Sequence, residues 1–180
     1  MIKHLASYDD VIEFLKEHLR RTPIVILGVG NELRRDDGFG TYLARSLARY
    51  ASEFMKLKNA YIVDAGNAPE LYTDLLRKAR NGSILLIDAI LVGDRRPGDI
   101  VAFNISQGGN DNSQSIQFIT THALDLRIMM KAAGVENVLV IGVIPYSTDF
   151  GLGLTEPVAR AFRLLFRAFI RFLSESTLTE

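Results

Sequence analysis

The chain has 180 residues, of which 48% are apolar, so it is long enough and apolar enough to form one domain with a sizeable core. Its 21 basic residues balance 21 acidic ones, which leaves no net charge to attract nucleic acid or an anionic membrane surface. The absence of cysteine excludes disulfides, cysteine-ligated metal sites and a thiol nucleophile. The longest apolar run, residues 84–92, is too short for a membrane span. We therefore expect a cytoplasmic protein that does not bind nucleic acid and does not insert into a membrane.

The N-terminal segment predicts a helix. Ser7 and Asp10 have the spacing of a capping box, and apolar residues follow at helical intervals until Pro23 ends the pattern. We interpret residues 1–22 as a helical extension and residues 23–180 as the α/β domain.

The rest of the chain alternates short apolar runs with helical patterns. Five runs predict strands, at residues 24–27, 60–63, 84–87, 100–105 and 138–143. Four helical patterns lie between and after them, near residues 42–50, 69–79, 123–133 and 155–173. Alternating strands and helices form βαβ units, which give a mostly parallel sheet covered on both faces. The expected fold is therefore one three-layer α/β/α domain with a twisted sheet of about five strands.

Acidic residues follow three of the predicted strands. Asp36 and Asp37 lie in the loop after the first strand, Asp64 ends the second and Asp88 the third, and His122 directly precedes the helix predicted from residue 123. Ligands of open parallel sheets bind outside the carboxyl ends of the strands, so this topology can bring Asp37, Asp88 and His122 to one edge. Two carboxylates and one imidazole suit a divalent first-row metal ion.

These residues also have a structural interpretation. An aspartate after a strand often forms a turn or a helix cap, and for Asp36 and Asp64 that role is as well supported as a functional one. An isolated histidine is more often a structural hydrogen-bonding group than a metal ligand. Either Asp36 with Asp37, or Asp64 with Asp88, could serve as general base on water, and the residues alone do not choose between the two pairs.

Residues 28–40, Gly-Val-Gly-Asn-Glu-Leu-Arg-Arg-Asp-Asp-Gly-Phe-Gly, resemble the opening signature of the [NiFe]-hydrogenase maturation endopeptidases. Further matches follow in the family's order, at residues 63–66, 87–89, 97–98, 120–122, 142–145 and 154–158. Each motif alone is weak, but the ordered series is specific and covers about residues 23–173. Thr-Thr-His at 120–122 and Ala-Pro-Glu at 68–70 most resemble the branch that serves the hydrogenase of formate hydrogenlyase complexes.

The resemblance implies an endopeptidase that removes the C-terminal extension of a [NiFe]-hydrogenase large-subunit precursor after nickel insertion. It implies that Asp37, Asp88 and His122 contact the nickel and share the catalytic role, and that Asp64 lies near the cleft and influences substrate choice. The nickel would be supplied by the precursor, with no permanently bound organic cofactor. Hydrolysis would be aspartic-type or metal-assisted, and a monomer is favoured.

Two other functions stay open. One is a nickel-binding or carrier module of the same fold that does not cut, and the other is an unrelated metallohydrolase that acts on a small substrate. The sequence departs from the family at Ile144, where glutamine is frequent, and at Asn67, where serine or threonine is usual. These differences concern substrate specificity more than the reaction. Arg34 and Arg35 could hold carboxylates of the extension peptide, although solvated loop charges explain them better.

Overall fold

The computed structural model describes residues 2–106 and 123–175. The strands are β1 (Lys3–His4), β2 (Ile24–Val29), β3 (Ala60–Gly66), β4 (Ser83–Ala89), β5 (Ile100–Ser106) and β6 (Asn137–Val143). The helices are α1 (Tyr8–His18), α2 (Phe39–Phe54), α3 (Thr73–Lys78), α4 (Ala123–Ala133) and α5 (Glu156–Glu175). Two short 3₁₀-helices precede α2 and α3, at Arg35–Gly38 and Pro69–Tyr72.

The strands form one sheet in the order β1-β5-β6-β4-β2-β3. β3, β2, β4 and β6 run parallel, whereas β5 is antiparallel to β6 and β1 is antiparallel to β5. The prediction of a mostly parallel sheet is confirmed, with six strands among the described residues in place of about five. The additional strand is β1, which has two residues and is too short to show any alternation in the sequence.

The sheet has an apolar core on each face. One core joins the sheet to α1, α2 and α5, and the other joins it to α3 and α4. All residues of β2 and of β4 are buried, which explains why these strands appear in the sequence as unbroken apolar runs. The three-layer α/β/α prediction is therefore confirmed. In the described part of the chain, no helix has the length and apolarity that a membrane crossing requires.

The capping box at the first helix is present. The Ser7 hydroxyl accepts from the Asp10 backbone N–H at 3.2 Å, and the Asp10 carboxylate accepts from the Ser7 backbone N–H at 2.9 Å. Helix α1 buries apolar side chains in the core that it shares with α5, while β1 joins the sheet. The boundary at residue 23 between an extension and a domain stays a prediction.

The helix predicted over residues 69–79 differs in detail. It begins as a 3₁₀-helix at Pro69 and becomes α-helical only from Thr73. At the junction the Tyr72 hydroxyl donates to the main-chain oxygen of Asp64 at 3.2 Å, which ties this turn to the end of β3. A contact between distant segments thus shapes the start of this helix. The periodicity of apolar residues in the sequence does not reveal such a contact.

Candidate active site at the carboxyl edge of the sheet

The structure brings Asp37 and Asp88 together. Asp88 is the penultimate residue of β4, and Asp37 lies in the 3₁₀-helix that follows the neighbouring strand β2. The exposed fraction is 1% for Asp88 and 8% for Asp37. Burial raises the pKa of Asp88 well above its ordinary value, the backbone N–H of Ala89 lowers it, and the negative charge of Asp37 raises it further. The negative charge of Asp37 therefore disfavours the ionised form of Asp88.

Two glycines produce this juxtaposition. A β-carbon on Gly28 would lie 2.1 Å from the main-chain oxygen of Gly40, and one on Gly40 would lie 2.1 Å from the main-chain oxygen of Ile87. The start of α2 consequently packs backbone against backbone on the ends of β2 and β4. Because Asp37 lies just before α2 and Asp88 follows Ile87, this close packing sets the distance between the two acids.

One oxygen of Asp88 has no hydrogen-bond partner among residues 2–106 and 123–175. Its Oδ1 accepts from the backbone N–H of Ala89 at 2.8 Å, whereas Oδ2 is buried and unpartnered among the described residues. Asp37 Oδ2 accepts from the backbone N–H of Asn31 at 3.2 Å. A buried polar atom without a partner destabilises the fold, so it indicates a site that a ligand completes. Carboxylate oxygens fit a divalent cation.

The third predicted ligand, His122, lies outside the described residues, and its role stays a prediction. Over residues 2–106 and 123–175, no group of three or more histidine, cysteine, aspartate or glutamate side chains has the spacing of a metal site. Asp37 and Asp88 therefore need a ligand from elsewhere to complete a metal coordination shell.

Asp36 is the most extensively bonded acid in this region. Its Oδ2 accepts from the backbone N–H groups of Tyr146 (2.9 Å) and Ser147 (3.1 Å) and from the hydroxyl of Thr155 (2.7 Å). Its Oδ1 accepts from the backbone N–H of Thr155 at 2.7 Å, and the residue is fully buried. With four donors on its two oxygens, Asp36 has the geometry of a structural carboxylate that joins two loops.

Asp64 lies at the end of β3, beside the site, and is ion-paired. Its Oδ2 accepts from Arg45 Nε at 2.8 Å, and its Oδ1 accepts from the backbone N–H of Gly66 at 3.1 Å. The same guanidinium donates through Nη1 to Glu32 Oε2 at 2.8 Å. The hydrogen bond to Asp64, followed by that to Glu32, raises the pKa of Arg45.

The residues that support these acids could not be identified from the sequence. Arg45 is a half-exposed helix residue, and the backbone groups of Tyr146 and Ser147 carry no side-chain signal. Thr155 directly precedes α5, at the position of a helix N-cap. Its main-chain oxygen does accept from Ala159 at 2.8 Å, but its hydroxyl donates to Asp36.

The chain is similar to hydrogenase maturation proteases in both sequence and structure. A model of the family described as HycI hydrogenase maturation protease matches residues 41–171. A Methanocaldococcus jannaschii protein that carries the name hydrogenase maturation protease is 33% identical over 133 residues, 71% of this chain and 75% of that protein. The hydrogenase 3 maturation protease of Escherichia coli is 27% identical over 145 residues, 79% of this chain and 86% of that protein.

Solved structures agree with the fold. The crystal structure of a hydrogenase maturation protease HycI from Thermococcus kodakarensis aligns with a TM-score of 0.69 and 24% identity, over 90% of this chain and 99% of that chain. The solution structure of the endopeptidase HycI from Escherichia coli aligns with a TM-score of 0.61 and 27% identity, over 80% of this chain and 86% of that chain.

Proposed function

Because this chain belongs to the HycI family of hydrogenase maturation proteases, we propose that it removes the C-terminal extension of a [NiFe]-hydrogenase large-subunit precursor after nickel insertion. The precursor is its partner, and the nickel belongs to this substrate, where cysteines of the precursor hold it. The observation that supports this proposal most is the buried pair of Asp37 and Asp88, in which Oδ2 of Asp88 has no partner in the described part of the chain.

Recognition of nickel follows from the chemistry of this pair. We propose that Asp37, Asp88 and His122 together contact the nickel that the precursor presents. A divalent cation beside Asp88 favours its ionised form and so opposes the effect of burial on its pKa. A precursor without nickel leaves the repulsion between Asp37 and Asp88 uncompensated and binds more weakly. Cutting then follows nickel insertion because the protein binds the nickel-loaded precursor more tightly than the nickel-free one.

The cut itself is hydrolysis of a peptide bond. Water adds to the scissile carbonyl carbon, the carbon–nitrogen bond breaks, and the leaving amine takes a proton. The substrate's nickel can polarise the carbonyl as a Lewis acid, or the Asp37–Asp88 pair can take the proton from water as general base. We favour this pair over Asp36 as the base because the oxygens of Asp36 already accept four hydrogen bonds.

The proposal is tested with a purified precursor in nickel-loaded and nickel-free forms, each incubated with the protein and weighed by mass spectrometry. Loss of the extension is expected only from the nickel-loaded form. The variants Asp37→Ala, Asp88→Ala and His122→Ala should each abolish cutting while keeping the circular dichroism of the wild type. Asp94→Ala, at an exposed acid outside the site, is the matched control. A wild-type protein that leaves the loaded precursor intact would contradict the function, and near-normal cutting by all three variants would contradict the site.

Nickel binding by the isolated protein separates this function from the two alternatives. We expect weak uptake in equilibrium dialysis, since the precursor supplies the cysteine ligands. Tight and stoichiometric uptake without cutting would support a nickel carrier. A metal ion that copurifies with the protein and supports hydrolysis of a small ester or amide would support an unrelated metallohydrolase.

A further inference from the structure

Two loops beside the acid pair expose large apolar side chains. Leu33 is 59% exposed, Tyr146 70%, Phe150 83% and Leu152 75%. These four residues, here called the apolar rim, belong to two loops, residues 31–38 and 145–155. They make up four of the nine large apolar side chains that are exposed in the described part of the chain. Such a concentration indicates a binding surface, whereas single exposed apolar residues are ordinary.

The rim is held in place by hydrogen bonds between its two loops. The backbone N–H of Arg35 donates to the main-chain oxygen of Gly151, and the N–H of Gly151 donates to that of Leu33, both at 2.9 Å. The guanidinium of Arg34 lies 5.6 Å from the centroid of the Phe150 ring. Because the loops are already ordered, a ligand that binds them loses little free energy to loop ordering.

The rim is also continuous with the acid pair. Asp37, four residues after Leu33, donates its backbone N–H to the main-chain oxygen of Arg34 at 3.1 Å. Asp36 connects this segment to the backbone of Tyr146. An extended peptide advances about 3.3 Å per residue, so a chain cut beside Asp37 reaches the rim within a few residues of the scissile bond.

Two arginines beside the apolar rim favour a peptide that carries a carboxylate. Arg34 and Arg35 are exposed, and neither forms an ion pair with a carboxylate among the described residues. An acid on the other loop, Asp149, accepts from the Ser147 hydroxyl at 2.9 Å. A guanidinium binds a carboxylate through two parallel hydrogen bonds, so these two cations suit a carboxylate on the bound peptide.

We propose that the apolar rim, with Arg34 and Arg35, binds the C-terminal extension of the precursor. Apolar side chains of the extension pack on Phe150 and its neighbours, and a carboxylate of the extension pairs with the arginines. This surface rests on the proposed function and identifies the part of the substrate that the protein holds during the cut. Residues on the rim thereby determine specificity, while Asp37 and Asp88 contact the nickel.

The test compares two serine variants at exposed apolar positions. Phe150→Ser combined with Leu152→Ser changes the rim, whereas Phe54→Ser changes an aromatic residue that is 68% exposed at the far end of α2. Binding of the nickel-loaded precursor is measured by biolayer interferometry, and kcat and KM by mass spectrometry. The rim variant should raise Kd and KM by roughly five- to thirty-fold, with kcat nearly unchanged. Phe54→Ser should match the wild type.

A second substrate distinguishes the extension from the body of the precursor. It is the same nickel-loaded precursor with the extension replaced by glycine and serine residues of equal number. The rim variant and the wild type should bind this substrate equally. Equal Kd values on the natural precursor, or the same weakening on both precursors, would overturn the proposal. A wild-type protein that binds the natural precursor through the rim but does not cut it would contradict the proposed function alone.

The arginines are tested separately by Arg34→Gln combined with Arg35→Gln. The loss of two cations should raise Kd for the natural precursor and reduce the salt dependence of binding. Unchanged Kd and unchanged salt dependence would show that the two arginines do not bind a carboxylate of the extension.

Discussion

Gly40 lies so close to the end of β4 that a β-carbon on it would stand 2.1 Å from the main-chain oxygen of Ile87. The neighbouring atoms are backbone, including the main-chain oxygen and nitrogen of Val29, and they cannot move aside as a flexible side chain would. Any side chain at position 40 therefore displaces the start of α2 from the sheet. Because Asp37 lies just before this helix, its distance to Asp88 changes as well.

We expect Gly40→Ala to lower the free energy of unfolding by about 3 kcal/mol and to abolish cutting of the loaded precursor. Urea denaturation measures the first effect and mass spectrometry the second. Gly134→Ala is the control, since the added methyl group there meets no atom within 4 Å and only the positive φ of 66° opposes it. Gly134→Ala should lower the free energy of unfolding by about 1 kcal/mol and retain cutting of the loaded precursor. Equal behaviour of the two variants would contradict the importance of this close packing.

Asp88→Asn should stabilise the protein at neutral pH while abolishing its activity. Burial, followed by the charge of Asp37, raises the pKa of Asp88 in the folded state, so the folded protein binds this proton more tightly than the unfolded chain. The stabilisation that protonated Asp88 provides is therefore lost as the pH rises from its ordinary pKa of 3.8 through its raised pKa in the folded protein. Asparagine keeps the shape and has no proton to lose.

Thermal unfolding followed between pH 3 and pH 8 measures this effect. The midpoint of Asp88→Asn should exceed that of the wild type at the upper end of this range, and the difference should disappear toward pH 3. The control is Asp94→Asn at an exposed acid, which should follow the wild type at each pH. A variant that is less stable than the wild type at neutral pH would mean that the buried carboxylate is compensated by interactions of its charge.

Asp64 should prove dispensable for the chemical step. Its carboxylate is bound to Arg45, and the side chains of this pair are 24% and 54% exposed, so Asp64→Asn should cost no more than about 1 kcal/mol of stability. We expect kcat on the loaded precursor to fall less than about threefold, with any larger change confined to KM. Steady-state cutting measures kcat, and single-turnover cutting with the protein in excess isolates the chemical step. A loss as complete as that of Asp37→Ala would identify Asp64 as a catalytic base.

The sequence predicts the elements whose signal is local. β2 and β4 were identifiable because burial on both faces makes them continuous apolar runs, and the meeting of Asp37 and Asp88 followed from the parallel topology. The short strand β1 was not identifiable, since a pair of residues shows no period. The bonds of Asp36 to residues more than 100 positions away in the chain were also not identifiable, because their donors include backbone groups that any residue carries.

Asp36 should contribute more to stability than to chemistry. Asp36→Ala leaves three backbone N–H groups and the Thr155 hydroxyl without their acceptor, and a buried donor without a partner costs about 1–3 kcal/mol. We therefore expect a loss of at least about 3 kcal/mol in urea denaturation, with faster hydrogen exchange at the amides of Tyr146, Ser147 and Thr155. Thr155→Ser keeps the hydroxyl and should leave both measurements close to the wild type. If Asp36→Ala keeps the stability and the slow exchange of the wild type, then Asp36 does not join the two loops, and a direct role in the reaction becomes the better explanation for this buried acid.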